Sequence, residues 1–402
     1  MEHELEQYWK RNLVVLACAG FLVSIGFNLT SPFIPMFVQE LGQSENIATL
    51  SSLALAASSL MSAVMAPVWG SLADKYGKKL MFVRAGIGIA ITNALMALSQ
   101  TYTQYLLLRL LNGMLSGFIP AIVMFIATNT PERRVGYALG INTSATSIGT
   151  IMGPAIGGYL AAQVGMRYSM GIAAVMILCA ALLAVLGSRE IVLNTDKSKK
   201  TDVIGDIRAV LAIPVLRGVI FAMLLVNMAL TVIQPVLALF ISTMQFTGDL
   251  EVVTGYVFSV IGISTAIGAP LISRMHSKFP PKRVFYAGLC FGALIYVAQG
   301  LTRNVMWLGT ERFFFGFANS AVTITANVLV TGAASADMRG RAFGALNGIG
   351  MLGNFAGPLV GGTVGDNFGY NVPFFIAGAL FLVAFQLTRT ALREIGDEPL
   401  EA

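Results

Sequence analysis

The stretch Gly70-Ser71-Leu72-Ala73-Asp74-Lys75-Tyr76-Gly77-Lys78-Lys79 separates two long apolar segments of the chain. It combines one acid, three lysines and two glycines, which predicts a tight turn between two membrane-length helices. Gly70 is expected to permit close helix contact, and Gly77 to permit the turn itself. Asp74 is placed to meet a helix N-terminus or an arginine. The alternative interpretation is an ordinary solvated loop.

The composition of the chain on either side of this turn predicts a membrane protein. Of the 402 residues, 56% are hydrophobic and 11% are charged, which does not fit a soluble domain of this length. The apolar segments lack strand-like alternation, so an all-α membrane protein is expected, with backbone polar groups satisfied inside helices. The twelve predicted spans are 12–38, 47–72, 80–99, 104–128, 136–162, 168–187, 216–243, 251–275, 284–301, 305–330, 342–365 and 371–390.

The basic residues are distributed unevenly over these spans. With both termini in the cytoplasm, all but four of the 26 Lys and Arg residues fall in cytoplasmic segments. Arg167 and Arg303 lie in external loops, and Arg109 and Arg312 lie inside spans. This asymmetry follows the positive-inside rule and supports cytoplasmic termini. The excess positive charge is explained by topology, so no nucleic acid is expected as a partner. The first span is too long for a signal-peptide core and is expected to stay in the membrane.

Cysteine and histidine residues offer no basis for a metal site or a disulfide framework. Cys18, Cys179 and Cys290 fall within predicted spans, where buried free thiols are expected. The histidines, His3 and His276, lie in the N-terminal tail and at a cytoplasmic turn. We therefore expect no cofactor, no metal and no enzymatic activity. An ATP-driven pump is excluded because the sequence contains no Gly-x-x-x-x-Gly-Lys-Ser/Thr loop.

Features of the first half of the chain recur in the second half at a spacing of about 203 residues. The matched pairs are Pro32 and Pro235, Ala66-Pro67 and Ala269-Pro270, Arg109 with Gly113 and Arg312 with Gly316, and Gly153-Pro154-x-x-Gly157-Gly158 and Gly357-Pro358-x-x-Gly361-Gly362. A polar, basic segment with an amphipathic stretch from Val203 to Leu211 joins the halves. The predicted organisation is a six-helix bundle over 1–187, a cytoplasmic linker over 188–215 and a pseudo-symmetric six-helix bundle over 216–402.

Charged residues inside the predicted spans are the first functional candidates, because such residues are expensive to place in a bilayer. Among the acids, Glu311 is the only one that falls clearly inside a span, next to Arg312 and at a depth like that of Arg109. Burial raises a carboxyl pKa and a nearby arginine lowers it, so Glu311 is a candidate for proton coupling. The alternatives are a helix-end acid paired with a neighbouring arginine, and an Arg109 that extends to the outer interface.

Polar residues form one stripe on each of two symmetry-related spans, at positions i, i+4 and i+7. The stripes are Ser24, Asn28 and Ser31 in span one, and Asn227, Thr231 and Gln234 in span seven. Both stripes are expected to face a central cavity, although hydrogen bonding between helices explains them equally simply. The complete set of substrate-cavity candidates is Ser24, Asn28, Ser31, Asn112, Asn227, Thr231, Gln234, Phe315 and Asn319.

Three motifs resemble those of the major facilitator superfamily. The run 70–79 is similar to its signature loop between spans two and three, and Arg109-Leu110-Leu111-Asn112-Gly113 resembles its span-four basic motif. The segment 149–158 resembles the antiporter motif of its drug exporters, whose glycines let helices approach closely. The matching residues of that motif are Gly149, Gly153, Pro154, Gly157 and Gly158.

The resemblance covers nearly the whole chain and is closest to bacterial multidrug exporters of the twelve-spanner drug:proton antiporter group. It implies export of small lipophilic molecules in exchange for protons by alternating access, from the bacterial inner membrane. It also implies that Arg109, with Glu311 and Arg312 as further candidates, acts in proton coupling. The conformational latch that it implies consists of Gly70, Asp74, Gly77, Lys78 and Lys79.

Two departures and two alternatives accompany this resemblance. The second-half loop has Ser277 where Asp74 stands, and span one lacks the carboxylate that many drug antiporters carry there. The first alternative is a dedicated exporter of one native metabolite, lipid or siderophore. A non-transporting membrane sensor is the second, and it would require additional soluble domains. We expect small lipophilic substrates, protons and the lipid bilayer as partners, and a monomeric protein.

Overall fold

A computed structural model describes residues 2–191, 203–335 and 338–392, and these residues form sixteen α-helices. The predicted linker charges between 192 and 202 lie outside the described residues. The helices are α1 Glu2–Thr30, α2 Ile34–Glu40, α3 Ile47–Tyr76, α4 Lys78–Ala97, α5 Tyr102–Leu115, α6 Phe118–Thr128, α7 Val135–Val164, α8 Met166–Gly187, α9 Val203–Leu211, α10 Pro214–Val232, α11 Gln234–Ser242, α12 Leu250–Met275, α13 Pro281–Leu301, α14 Val305–Ala333, α15 Arg339–Phe368 and α16 Val372–Ala391.

The twelve predicted spans are confirmed as helices or pairs of helices. Their ends agree to within four residues, except that span one begins at Glu2, ten residues before its predicted start. Ten of these elements are long and apolar enough to cross a membrane by length and composition. The other two, α7 and α15, are equally long but rich in glycine and polar residues, which lowers their hydropathy. The amphipathic stretch from Val203 to Leu211 is confirmed as the short helix α9.

Three spans are interrupted near their middle or in their last third along the chain. Span one changes to a 3₁₀ turn at Ser31–Phe33 between α1 and α2, and span seven divides between α10 and α11 next to Pro235. Proline causes such breaks because it removes a backbone donor from the helix. Span four divides at Gly117, whose φ of +116° favours glycine. Its symmetry mate, α14, is continuous.

The described residues group into two compact units. The first contains 2–44, 57–191 and 249–259, and the second contains 45–56, 203–248 and most of 260–392. Two helices therefore contribute to both units, since α3 changes unit after Ala56 and α12 after Ser259.

Each unit has a core of close-packed aromatic side chains. In the first unit, the Phe82 ring lies 6.0 Å from Phe118 and 5.7 Å from Phe125, joining α4 to α6. In the second unit, Phe315 of α14 lies 4.3 Å from Tyr296 of α13 and 5.8 Å from Phe381 of α16. Edge-on and tilted packing of this kind fixes how neighbouring helices meet.

The prediction that the three cysteines are buried is wrong. Cys18, Cys179 and Cys290 are free thiols as expected, but all three are exposed on their helices. Hydropathy misleads here because a helix face directed to lipid is as apolar as one directed to the protein interior.

Candidate functional site

The arginine of the span-four motif is buried in the first unit. Arg109 lies on α5 with 7% of its surface exposed, and its Nε donates a hydrogen bond to the Tyr105 hydroxyl at 2.8 Å. The Ser58 hydroxyl of α3 donates to the Arg109 carbonyl at 2.8 Å. Gly113, one turn further along, allows this close crossing because a Cβ there would overlap the Ser58 backbone. The guanidinium is therefore held inside the unit.

The acidic candidate lies at the start of α14, on the hairpin with α13. Glu311 is half-buried, and its Oε1 accepts a hydrogen bond from the Thr302 hydroxyl at 2.7 Å. Its Oε2 is buried without a hydrogen-bond partner among the described residues. The neighbouring Arg312 is 3% exposed and interacts electrostatically with the Tyr296 phenol of α13. The intramembrane carboxyl thus has one oxygen fixed and one oxygen available.

The two polar stripes lie against the glycine-rich helices of their own units. In the first unit, a Cβ at Gly149 would meet Ser24 at 2.8 Å, and a Cβ at Gly153 would meet Asn28 at 2.8 Å. In the second unit, the Thr231 hydroxyl of α10 donates to the Asn227 carbonyl and lies 3.3 Å from the Gly353 carbonyl of α15. The stripe residues at these four positions therefore contribute to helix packing, and their contact with substrate stays a prediction.

The other cavity candidates have different surroundings. Asn112 is buried and donates to the Thr92 hydroxyl at 2.7 Å, and Phe315 is fully buried in the aromatic core. Ser31 and Gln234 are half-buried where spans one and seven are interrupted. Asn319 is half-buried with a buried Oδ1 that has no hydrogen-bond partner in the described part of the chain. The contact of these residues with a substrate stays a prediction.

The antiporter motif forms the face of α7 that contacts other helices. A Cβ at Gly157 would lie 2.8 Å from the carbonyl carbon and 3.0 Å from the Cα of Leu29 in α1. Gly158, about 100° further round the helix, lies against the Glu251 backbone of α12, and the amide of Ala155 donates to the Ser259 hydroxyl at 3.1 Å. The predicted role of these glycines in close helix approach is confirmed for Gly149, Gly153, Gly157 and Gly158.

The signature loop is a tight turn, as its sequence predicts. Gly77 joins α3 to α4 with a φ of +97°, and Asp74 is exposed. The prediction that Gly70 permits close helix contact is wrong, because a Cβ there would meet no described atom within 4 Å. Glu190 was not predicted as a partner of this turn, and it accepts hydrogen bonds from the amides of Lys78 and Lys79 at 2.8 and 3.0 Å. This carboxylate caps the start of α4.

Arg84 lies within the apolar helix α4, although it is one of the basic residues assigned above to cytoplasmic segments. It lies in the second turn of α4, with its guanidinium 3.4 Å above the Trp69 ring. Its Nη2 donates to the Ser116 carbonyl at 3.2 Å, next to the interruption of span four. Stacking on an aromatic face lowers the cost of an arginine in this environment.

A second acid that the sequence did not indicate is Asp366 at the end of α15. Its carboxylate accepts hydrogen bonds from the amides of Ala48 and Thr49 at 3.2 and 2.7 Å, and so caps the start of α3 within the second unit. The pKa of the nearby Tyr370 phenol is raised, mainly by burial and to a smaller extent by the negative charge of Asp366. Because the capped residues are more than 300 positions away, no local pattern reveals this contact.

Replacing Asp366 with asparagine is expected to weaken this cap, because asparagine has one acceptor oxygen and no charge. Losses of helix caps cost about 0.5–2 kcal/mol. We expect the melting temperature of the detergent-solubilised protein to fall by a few degrees. The control is Asn367→Ala, which removes an exposed side chain that donates to the Thr363 carbonyl of its own helix. Equal melting temperatures for Asp366→Asn and the wild type would show that the cap contributes nothing.

Each half of the chain combines long apolar helices with a buried arginine and a close-packed glycine face. Together these features define a polytopic membrane transporter. The Major Facilitator Superfamily model matches residues 16–310 and 253–399, and the chain belongs to this family. It therefore has the family's fold of twelve spans in two pseudo-symmetric bundles and is not an enzyme.

Bacterial multidrug resistance proteins are among the proteins similar to this chain. The chain is 30% identical over 397 residues to multidrug resistance protein MdtG of Enterobacter lignolyticus, covering 98% of this chain and 95% of that protein. It is 31% identical over 382 residues to MdtG of Yersinia enterocolitica, covering 93% and 91%. This similarity over nearly the full length agrees with a multi-pass protein of the bacterial inner membrane.

Solved structures show the same fold at low sequence identity. A bacterial homologue of the human lysosomal transporter Spinster, in an inward-facing and unoccupied conformation, has a TM-score of 0.80 at 16% identity, covering 96% of this chain and 97% of that chain. The nucleoside transporter NupG has a TM-score of 0.77 at 16% identity, covering 95% and 99%. At these identities the likeness concerns the fold alone.

Proposed function

We propose that this protein exports lipophilic small molecules from the cytoplasm in exchange for protons, by alternating access. The observation that carries the export proposal is the similarity to MdtG multidrug resistance proteins over 98% of the chain. The glycine face of α7 supports it, because this motif resembles that of drug exporters. We also propose that both termini are cytoplasmic and that the protein is a monomer. Its proposed parts are a six-helix bundle over 1–187, a cytoplasmic linker over 188–215 and a second six-helix bundle over 216–402.

The proton-coupling part of the proposal rests on Glu311. It lies within an apolar helix, has one carboxylate oxygen bonded to Thr302 and has a second oxygen that is buried. A carboxyl that changes its protonation state inside a membrane is the usual means of linking proton movement to a conformational change. Arg312 and Arg109 are proposed as further coupling residues because each is an arginine buried in an apolar helix, and Asp74 is proposed to latch the cytoplasmic side in one of the two states.

The experiment that tests this proposal is transport in inverted membrane vesicles. An imposed proton gradient is expected to drive uptake of lipophilic compounds and to be dissipated by adding them. Uptake of a whole panel would support multidrug export, whereas uptake of a single compound class would favour a dedicated exporter. No uptake and no proton movement with any compound would contradict export.

The charge of the preferred substrates follows from the ionised residues inside the helices. Arg84, Arg109 and Arg312 are positive there, and Glu311 supplies at most one negative charge. A cation bound away from water needs a compensating acid. We therefore expect neutral, zwitterionic or weakly anionic amphiphiles to be exported at least several-fold faster than lipophilic dications of similar size. Faster export of the dication, retained in Glu311→Gln, would contradict this prediction.

A further inference from the structure

Gln299 is an unusual residue in the second unit because it is polar, fully buried and unsatisfied. Its exposed fraction is 0%, and neither Oε1 nor Nε2 has a hydrogen-bond partner among the described residues. A glutamine side chain has two donors and an acceptor oxygen with two lone pairs. Leaving such groups unpaired costs about 1–3 kcal/mol for each, so the position requires an explanation.

The register of α13 and α14 places Gln299 beside the coupling candidates. The two helices are antiparallel, with Thr302 bonded to Glu311 and the Tyr296 ring 4.3 Å from the Phe315 ring. Gln299 lies midway between Tyr296 and Thr302, about 4.5 Å along the axis from each. At the level of Gln299, α14 contributes the residues between Glu311 and Phe315. Arg312 is one of these residues, and it interacts with Tyr296.

Gln299 and Glu311 both carry buried polar atoms without a hydrogen-bond partner among the described residues, which fits a small polar ligand between them. Glu311 Oε2 is also buried without a hydrogen-bond partner in the described chain, so two side chains at neighbouring levels have unsatisfied atoms. A buried water molecule typically makes about three hydrogen bonds to groups of this kind. The only charged residues of the adjacent helices α10 and α16 are Arg217 and Arg389, both at the opposite end of the unit.

We propose that Gln299, Glu311 and Arg312 enclose a buried hydrated site, in which Gln299 holds water against the Glu311 carboxyl. Gln299 is then a positioning residue, since it acts on the proton through water and Glu311. In one step of the cycle, a proton moves from this water to Glu311 Oε2, and the water regains a proton from the external side. The inference rests on the proposed coupling role of Glu311. The titratable groups nearest to that carboxyl along the α13–α14 hairpin are Arg303, which follows its partner Thr302, the adjacent Arg312, and Tyr296, which interacts with Arg312.

The test compares Gln299→Met with the wild type in proteoliposomes. Methionine has a similar size but cannot hold water. We expect about a ten-fold loss of proton-driven export, which corresponds to about 1.4 kcal/mol, together with a shifted pH dependence and unchanged substrate affinity. Thr388→Val is the control, because Thr388 is equally buried but bonded within its own helix. Gln299→Met with the wild-type rate and pH profile, or with only a higher melting temperature, would overturn the proposal.

A second measurement separates this inference from the proposed function. Hydroxyl-radical footprinting by X-ray radiolysis labels residues next to bound water, and we expect labelling of Tyr296 that disappears in Gln299→Met. If the wild type and Glu311→Gln export alike, the coupling role of Glu311 is wrong. The footprint then tests the hydrated site independently. Labelling of Tyr296 in the wild type that is lost in Gln299→Met supports the site, and equal labelling of the wild type and Gln299→Met refutes it.

Discussion

Replacing Glu311 with glutamine is expected to lower proton-driven export by about 100-fold, the scale of loss when a proton-transfer group is removed. Glutamine is isosteric and retains an oxygen that accepts the Thr302 hydrogen bond, so the α13–α14 hairpin is expected to fold normally. It does not exchange a proton near neutral pH, so substrate binding is expected to persist while coupling is lost. The measurement is export rate against an imposed pH gradient, with substrate affinity determined separately.

The control for this substitution is Asp249→Asn, which neutralises an exposed acid just before α12. It changes the net charge of the protein by the same amount without altering an intramembrane carboxyl. We expect its export rate to stay within two-fold of the wild type, roughly the range expected of an exposed surface substitution. Wild-type turnover by Glu311→Gln at all pH values would refute the role of Glu311. Coupling would then have to pass through Arg109 with water or through a loop acid.

Replacing Gly157 with alanine is expected to reduce the yield of folded protein severely. The added Cβ would lie 2.8 Å from the Leu29 carbonyl carbon and 3.0 Å from its Cα. Both neighbours are backbone atoms, so no side-chain rotation relieves the overlap and α1 and α7 must separate. Overpacking costs about 1–3 kcal/mol and occasionally more. Here it would also separate the glycines of α7 from the polar stripe of span one, which includes Asn28. Fluorescence-detected size-exclusion chromatography reports the folded fraction.

The same helix provides a matched control in Gly140→Ala. A Cβ at Gly140 would meet no described atom within 4 Å, so the substitution adds helix propensity without a clash. Alanine is favoured over glycine inside helices by about 1 kcal/mol. We expect Gly140→Ala to equal or exceed the wild type in thermal stability. Equal stability of Gly157→Ala and Gly140→Ala would contradict the close approach of α1 and α7.

Most of the fold could be predicted from the sequence because its signals are local. The length of a span is set by the thickness of the bilayer, and the turn at Gly77 is determined by residues within ten positions of it. The interruption at Gly117 was not predicted, because a single glycine in an apolar helix is common and only its φ of +116° distinguishes it. The exposed position of Cys18 was missed because lipid and protein interior have similar polarity.

The candidate site was predicted only in part. The sequence indicates Glu311 and Arg109 as charges within apolar helices, since a charge inside an apolar run is visible without any partner. Thr302 as the partner of Glu311, and Tyr105 as that of Arg109, were not predicted. The role of Gln299 was not predicted. A glutamine near the end of a helix is common, and only the structure shows that this one is completely buried.

The sequence by itself determined the twelve spans, the twofold repeat and the residue types that carry charge into the membrane. Hydropathy, glycine spacing and charge asymmetry are properties of short segments, so they do not depend on how the chain folds back on itself. Only the tertiary structure decided that Asp366 caps α3, that Glu190 caps α4 and that Gln299 lies level with Arg312. These contacts join residues that are distant in sequence or on facing helices, and helix packing alone sets which side chains meet.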